Sequence, residues 1–351
     1  MSWGDLAKTN GDKPARKKTG KSGKRPPTAK QKRVSNEFAD LEVTISDDET
    51  LENSFELPTL KRKRSKGEKI TGYGQTGGGK TRFGILMGRL NKEHVVEDID
   101  ALKFSSAVRN KAVDRFMEAF DNQEIFQGNP IICLGTEEST EDAIYGEDQW
   151  ELVADLVGKK QIMYKEVFVE YDSGPNQSFI DPFESYRNFV KYFSIVKRSN
   201  PLVGTVMVDS GTSKLGWEHN IIRRKVMKIP ELQKEQGVPT RYWFWRNEKE
   251  EAFQLALRSL KCNTYVTWKE AKDKEGNYID RPKWHDDTSG HLTNHVLRFP
   301  IDDEQDRFKA LVVKCRRTRR LRMKTIFYPT PLKFFGLMIG AFTFKDLKGK
   351  E

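Results

Sequence analysis

The apolar residues of this chain form short continuous runs that alternate with longer stretches in which they recur at helical spacing. A short apolar run bounded by polar or turn-forming residues is typical of a strand covered on both faces of a parallel sheet. Strands are therefore predicted at 68–73, 131–134, 165–169, 202–210, 262–268, 295–299 and 309–314. Helices are predicted at 82–90, 105–122, 183–196 and toward the end of 231–261. Strands separated by helices predict an α/β fold with a largely parallel sheet flanked by helices.

The two ends of the chain differ from this middle part. Residues 8–33 are rich in Lys and Arg, and residues 37–56 are acidic. Because such a composition buries too little apolar surface to fold alone, residues 1–65 are predicted to form a disordered arm, first basic and then acidic. One folded domain is expected over 66–322, followed by a C-terminal extension at 323–351.

The composition indicates the kind of partner and the cellular compartment of the protein. The chain has 351 residues and a formal net charge of +11, which favours a polyanionic partner, with nucleic acid the first candidate and general solubility the alternative. Its three cysteines are far apart and lack metal-ligand spacing, as is usual in a reducing compartment. Without a signal peptide or an apolar run long enough to cross a bilayer, we expect a cytoplasmic protein with no membrane partner, or a nuclear one in a host with a nucleus.

One Gly-rich stretch fits the G-x-x-x-x-G-K-[ST] pattern of a phosphate-binding loop. Its residues are Gly74, Gln75, Thr76, Gly77, Gly78, Gly79, Lys80 and Thr81. Glycines let the backbone wrap a polyphosphate with successive N–H groups pointing inward, which bulky side chains would prevent. Lys80 adds a positive charge for the β- and γ-phosphates, and the Thr81 hydroxyl can bind Mg²⁺. Because a strand is predicted before the loop and a helix after it, the stretch indicates nucleotide binding rather than a simple turn.

Two acids follow predicted strands downstream of this loop. Asp209 closes an apolar strand, where a second acid is needed to hold Mg²⁺ beside Thr81; its alternative role is to cap the helix that follows. Glu137 follows the strand at 131–134, and the carboxyl edge of a parallel sheet borders the ligand crevice. A carboxylate there could orient the water that attacks the γ-phosphate, a role for which Glu138 competes.

The order of these features resembles that of the RecA-like P-loop ATPases, which include phage and archaeal nucleotide-binding proteins of the recombinase type and the replicative hexameric helicases. The residues that carry the resemblance are the loop, Thr136-Glu137, Asp209-Ser210, the polar-ended strand at 262–268 and Lys314-Cys315-Arg316. The resemblance implies a RecA-like ATPase core over the domain, with ATP and Mg²⁺ as ligands. It also implies that Glu137 is the catalytic base and Asp209 the acid near the metal. Thr267, at the end of its strand, would take the position that senses the nucleotide.

The Lys-x-Arg pattern is formed by Lys314 and Arg316. In the ATPases that this chain resembles, such a pair faces the γ-phosphate bound by a neighbouring subunit, so the resemblance implies catalytic roles for both residues in a homo-oligomer. A cation supplied in this way would stabilise the charge that gathers on the phosphate oxygens during transfer. The alternative is that Arg316 opens a basic run, up to Lys324, that binds phosphate backbone or is simply solvated.

Two segments favour DNA as the partner. The long loop or hairpin predicted after Trp268 lies where RecA-like proteins carry a DNA-contacting loop, and it mixes cations with an aromatic residue, as single-strand binding requires. Its candidate residues are Lys272, Lys274, Arg281, Lys283 and Trp284, although several acids lie between them. The second segment, 214–228, places Arg223 and Arg224 beside Trp217, with exposed helix charge as the alternative interpretation.

Together these features predict an ATP-hydrolysing protein that acts on DNA, with single strands the expected form, in recombination, annealing or replication. We expect it to work as an oligomer, a ring or a filament. A hexameric helicase or a viral packaging motor is the alternative within enzymes. An assembly scaffold that is switched by ATP is the alternative outside them.

Overall fold

A computed structural model of the chain describes residues 67–146, 150–174, 177–199, 202–226, 240–283, 292–301 and 308–349. The arm predicted at 1–65 lies outside these described residues. Within them, the chain forms a large sheet with helices on both faces and a separate two-stranded hairpin. The predicted fold class, α/β with a largely parallel sheet flanked by helices, is confirmed.

Most of the strands fall where apolar runs predicted them. They are β1 (Lys69–Gly74), β2 (Ile131–Gly135), β3 (Ile162–Glu166), β4 (Glu170–Gly174), β5 (Gln177–Ile180), β6 (Thr205–Asp209), β7 (Asn263–Lys272), β8 (Tyr278–Pro282), β9 (His295–Phe299), β10 (Lys309–Cys315) and β11 (Thr325–Phe327). The strand predicted at 165–169 begins earlier, at Ile162, because Ile162 and Met163 are its buried residues. The hairpin of β4 and β5 and the edge strand β11 were not predicted.

The large sheet has nine strands in the order β11-β10-β9-β1-β7-β6-β2-β3, with β8 paired to β7 outside this path. The strands from β9 to β3 in this order run parallel to one another, whereas β8, β10 and β11 are antiparallel to their neighbours. β7 therefore lies between β1, which precedes the Gly-rich loop, and β6, which ends in Asp209. The ends of β1, β7, β6 and β2 meet at one edge, which we call the carboxyl edge.

The helices connect these strands and cover the sheet. They are α1 (Lys80–Ile85), α2 (Lys92–Ala101), α3 (Ser106–Asp121), α4 (Ser139–Tyr145), α5 (Glu151–Gly158), α6 (Pro182–Ser199), α7 (Gly211–Ile221), α8 (Thr240–Ser259) and α9 (Pro331–Ile339). Asn91 caps α2, since its Oδ1 accepts from the backbone N–H groups of Glu93 and His94, each at 3.1 Å. Among the helices in the described parts of the chain, none combines the length and the apolar character that a bilayer crossing needs.

Each face of the sheet has its own apolar core. Side chains of α1, α2, α3, α5 and α9 pack with Ile131 and Cys133 on one face, and those of α6, α7 and α8 pack with Ile132 and Leu134 on the other. Neighbouring residues of β2 thus point to opposite faces, as the two-residue period of a strand requires. Because both faces are covered, the strand is apolar at every position, which is the pattern that made it predictable.

The described C-terminal residues belong to this same structure. β11 pairs with β10, and α9 buries Phe334 and Phe335 in the core that contains α1. The segment set apart from the sequence as an extension, 323–351, therefore contributes an edge strand and a core helix. The sequence pattern did not reveal α9, because a helix that is covered on nearly every side has no polar stripe to mark its period.

Phe334→Ala is expected to lower the free energy of unfolding by about 3 to 5 kcal/mol, because it removes a fully buried ring that contacts Phe83 and Phe335. Equilibrium denaturation followed by circular dichroism would measure the loss. Phe327 lies in the same C-terminal segment but is 49% exposed, so Phe327→Ala is the matched control and should change stability by about 0.5 kcal/mol or less. Equal losses from the two variants would show that α9 is not part of the core.

Candidate active site

The Gly-rich loop connects β1 to α1 at the carboxyl edge of the sheet. Gly79 precedes the first helical residue with a φ of 85°, in the left-handed region that favours glycine. Gly74 lies against β9, where an added Cβ would meet the carbonyl oxygen of Phe299 at 2.1 Å. Glycine is thus required at both ends of the loop, by close packing at one end and by backbone conformation at the other.

Lys80 and Thr81 follow the loop as the first residues of α1. The Lys80 ammonium donates a hydrogen bond to the carbonyl oxygen of Gln75, so the side chain lies over the loop. Burial lowers the pKa of Lys80, although the carboxylates of Asp209 and Glu137 oppose this effect. The Thr81 hydroxyl donates to Asp209 Oδ2 at 2.7 Å. The structure thus brings the loop into contact with the acid that ends β6.

Asp209 is buried and has hydroxyl groups from three other elements as its partners. Thr81 of α1 and Thr140 of α4 donate to its Oδ2, at 2.7 and 3.0 Å, and Thr267 of β7 donates to its Oδ1. The alternative role of this acid, as the cap of the next helix, belongs to Ser210, whose side chain caps α7. Asp209 is therefore positioned toward the loop.

The Thr81 hydroxyl and the Asp209 carboxylate could hold a divalent cation between the loop and β6. Both are hard oxygen donors, and Mg²⁺ in nucleotide sites is commonly held by one or two side chains together with phosphate oxygens and water. Burial raises the pKa of Asp209 despite the hydrogen bonds from Thr267 and Thr81, so a cation here would offset the cost of the buried charge. In the parts of the chain that the structure describes, no group of three or more His, Cys, Asp or Glu side chains could hold a metal by itself. The residues therefore fit a cation that arrives with a polyphosphate.

Glu137 follows β2 at the same edge of the sheet. Its Oε1 accepts hydrogen bonds from the hydroxyls of Ser210, at 2.7 Å, and Ser213, at 2.5 Å, and lies 3.0 Å from the Lys269 ammonium. Burial would raise the pKa of Glu137, but the two serine hydroxyls and the Lys269 charge outweigh it and hold the pKa below its ordinary value. The carboxylate is therefore ionised at neutral pH and able to take a proton from a water molecule.

Glu138, the acid that competes for this role, borders the same groove as Glu137 but has a different partner. Its side chain shares a hydrogen bond with Glu170 of β4, which raises its pKa. It also lines an acidic groove together with Glu166. The structure thus places Glu137, and not Glu138, beside the end of β6.

Two side chains of β7 contact Asp209 and Glu137. Thr267 is fully buried and donates to Asp209, so it orients that acid. Lys269, two residues further along the same face of the strand, contacts Glu137. Lys269 was not singled out from the sequence, although the alternation of two polar residues at the end of an apolar strand was a signal for it.

Lys314 and Arg316 lie at the opposite edge of the sheet, which we call the amino edge. β10 is antiparallel to β9, and Cys315 pairs with His295 at the start of β9. His295 in turn pairs with Ile70, near the start of β1. At about 3.3 Å per strand residue, this position is roughly 13 Å from the loop at the other end of β1. Within one chain, therefore, the structure does not bring the Lys-x-Arg pair to the Gly-rich loop.

Two cavities flank the loop. The first, of about 370 Å³, borders the helical end of the loop and is lined by apolar and aromatic side chains, among them Trp150, Phe308 and Tyr328. The guanidinium of Arg82 lies over the Trp150 ring, 3.1 Å from its centre. The second, of about 410 Å³, borders the strand end of the loop and is lined on its other side by β7 and β8. The loop thus has an aromatic cavity on one side and, on the other, a cavity bordered by charged residues of β7 and β8.

The β7–β8 hairpin exposes basic and aromatic side chains beside the loop. Its exposed residues of these kinds are Lys269, Lys272, Lys274, Tyr278, Arg281 and Lys283. The Lys272 ammonium lies 4.5 Å from the centre of the Tyr278 ring. Acids are interleaved with these residues, and Asp273 shapes the turn by accepting from the backbone N–H groups of Glu275 and Asn277. Trp284, the aromatic residue chosen from the sequence, lies outside the described residues.

The other segment chosen from the sequence as a DNA surface, 214–228, is buried at its start. Lys214 is 1% exposed and forms ion pairs with Glu218, at 2.9 Å, and Glu250, at 2.8 Å. Trp217 is likewise buried. α7 packs against α6 and α8, and its lysine neutralises buried carboxylates, so the prediction is wrong for these residues. The end of the segment lies outside the described residues.

Comparisons with known proteins give likeness to solved structures alone. No protein-family model and no curated protein matches the chain. Among solved structures, the chain is similar to a KaiC-like protein from the hyperthermophilic archaeon Pyrococcus horikoshii, with a TM-score of 0.37 and 15% sequence identity. The match covers 78% of this chain and 100% of the archaeal one. None of these comparisons assigns the chain to a family, so the case for function rests on the residues around the loop.

Asp209→Asn is expected to stabilise the nucleotide-free protein at neutral pH, because the amide removes a buried charge. Since burial raises the pKa of Asp209 in the folded state, the folded protein binds this proton more readily than the unfolded chain does. The stability contributed by the acid is therefore present below about pH 4 and lost as pH rises through the folded-state pKa. The gain from the substitution should be largest near neutral pH and shrink in acid, as measured by thermal unfolding across this range.

Asp273 provides a control of opposite sign. It is an exposed acid whose pKa is lowered, first of all by the hydrogen bond from the Asn277 backbone. Asp273→Asn should therefore cost stability at neutral pH, and that cost should disappear as pH falls. A change in stability from Asp209→Asn that does not vary with pH would contradict the idea that its buried charge is costly.

Proposed function

We propose that this protein is a Mg²⁺-dependent ATPase of the RecA-like type that acts on DNA as an oligomer. The observation that carries the proposal is the contact between Thr81, at the start of α1, and Asp209, at the end of β6, with Glu137 close by. The Gly-rich loop, two oxygen donors that suit a cation and an ionised carboxylate thus lie at one edge of the sheet, which supports the proposal. Hydrolysis of a nucleoside triphosphate requires these three features together.

Different residues at this edge would have different roles in hydrolysis. Backbone N–H groups of the loop and the Lys80 ammonium would hold the phosphates and balance their charge. Thr81 and Asp209 would hold Mg²⁺, which when bound supplies positive charge to the phosphate oxygens. Glu137, kept ionised and oriented by its two serine partners, would position a water molecule and take its proton.

The aromatic cavity beside the loop suits the base of the nucleotide. It begins at Gly79 and Arg82, so it adjoins the place where the phosphates would lie. A nucleobase is flat and apolar on its faces, and Phe308 and Tyr328 offer ring surfaces for stacking. The size of the cavity, about 370 Å³, is within the range of ordinary ligand pockets.

DNA is proposed as the partner on the strength of charge and position. The net charge of the chain is +11, and the exposed cations of the β7–β8 hairpin lie next to the loop. Cations beside an exposed ring, as at Lys272 and Tyr278, suit single strands, in which phosphates and base faces are both accessible. Recombination, strand annealing and replication are the processes in which an intracellular ATPase with such a surface would act.

Two alternative functions lead to different experimental results. A hexameric helicase or a viral packaging motor would show directed unwinding or translocation on labelled duplex DNA. An assembly scaffold switched by ATP fits the position of Lys314 and Arg316 as well as an oligomeric ATPase does, because the pair can meet a nucleotide only across a contact between chains. A scaffold should stay assembled and functional when hydrolysis, but not ATP binding, is removed.

The test of the proposed function is ATP hydrolysis by the purified protein with and without single-stranded DNA. We expect DNA to stimulate turnover. Lys80→Ala should abolish nucleotide binding and turnover, whereas Glu137→Gln should lower kcat by about two orders of magnitude or more and keep ATP binding. Identical turnover with and without DNA, together with no DNA binding at low salt, would make the DNA role wrong. Function that survives Glu137→Gln would favour the scaffold.

Arg316→Ala tests whether a neighbouring chain completes the site. If Arg316 acts across a contact between chains, the variant should bind ATP but lose turnover by about three orders of magnitude. Mixing it with Lys80→Ala should restore some activity, because each mixed contact can combine an intact loop with an intact arginine. Arg319→Ala, in the same exposed basic loop, is the matched control and should retain turnover. Folded, assembling variants that give no rescue would count against this arrangement.

A further inference from the structure

The backbone of Lys269 is fixed beside the first residue of the Gly-rich loop. In the parallel pairing of β1 with β7, Lys269 is the partner of Gly74. Its N–H donates to the Thr212 hydroxyl at 2.9 Å, and its carbonyl oxygen accepts from the Lys283 N–H at 2.8 Å. The side chain of Lys269 therefore starts from a defined point at the carboxyl edge, between the loop and α7.

The side chain of Lys269 bridges the space between the loop and Glu137. Its ammonium lies 3.0 Å from Glu137 Oε1, and its side chain is 49% exposed. It lines both the cavity at the strand end of the loop and the groove beside Glu137. The charge of Lys269 also contributes to lowering the pKa of Lys80, after the larger effect of burial, which fits two ammonium groups that face the same space.

The ion pair between Lys269 and Glu137 is easily exchanged. A pair this accessible to water contributes little to stability, so an anion of higher charge can displace the carboxylate. Glu137 keeps its hydrogen bonds from Ser210 and Ser213 when the ammonium leaves, and so keeps its position. The contact is thus suited to a lysine that changes partner, rather than to one that holds the fold together.

We propose that Lys269 binds the γ-phosphate of ATP, exchanging the Glu137 carboxylate for a phosphate oxygen when the triphosphate is bound. This inference rests on the proposed function and deepens it. The site then contains, within one chain, a second cation beside Lys80, whereas Lys314 and Arg316 lie at the far edge of the sheet. Because ADP lacks the γ-phosphate, Lys269 distinguishes the triphosphate from the diphosphate. It also lies on the strand that continues into the exposed hairpin.

Binding measurements test this role without relying on turnover. The affinities for ADP and for a non-hydrolysable ATP analogue are measured by calorimetry in the full-length protein and in Lys269→Met, which keeps the apolar stem of the side chain. We expect Lys269→Met to lose about tenfold in affinity for the analogue and to bind ADP as before. Lys269→Arg, which keeps the charge, should retain most of the affinity for the analogue.

Lys111→Met is the matched control, because it removes an exposed lysine from α3, a helix that lines neither cavity beside the loop. It should leave both affinities unchanged. Equal losses for the analogue and for ADP, or no loss for either, in Lys269→Met would overturn the proposal, and so would a gain for the analogue. If the unmodified protein bound neither nucleotide, the proposed function itself would fail, and the role of Lys269 with it.

Discussion

The buried carboxylate of Asp209 is the group on which the geometry of the site depends. A carboxylate removed from water is costly, and here hydroxyls of Thr81, Thr140 and Thr267 offset part of that cost. These threonines come from α1, α4 and β7, so satisfying one acid fixes three elements relative to β6. The loop is thereby set at a defined distance from the sheet, and Glu137, which precedes α4, is set with it.

Because β7 lies between β1 and β6, its side chains reach the acids that border the loop. Alternate residues of a strand share a face, so Thr267 and Lys269 reach the two acids in turn. The same strand continues beyond the sheet into the exposed hairpin with β8. A ligand on the hairpin therefore acts on a strand whose side chains contact both Asp209 and Glu137. In the proposed function, this one strand is therefore sufficient to connect the DNA-binding surface with the nucleotide site.

The loop, the two acids and most strands of the large sheet could be predicted, because each leaves a local pattern in the sequence. Other features depend on what lies across the fold. The contact of Lys269 with Glu137 follows from strand order, and the burial of Lys214 follows from Glu250 on a distant helix. α9 escaped prediction for a different reason: a helix with apolar residues on nearly all sides lacks the periodic contrast that identifies a helix.

The two edges of the sheet carry different parts of the site, and this separation constrains how the protein can work. The carboxyl edge holds the loop with both acids, whereas the amino edge carries the exposed arginines that follow β10. Since the length of β1 separates them, Arg316 can reach a bound nucleotide only in an assembly in which the amino edge of one chain meets the carboxyl edge of another. Such a contact is heterologous, and it produces a ring or a filament rather than a symmetric dimer. Lys269 needs no such contact, so in this arrangement a single chain suffices to bind ATP, whereas hydrolysis depends on assembly.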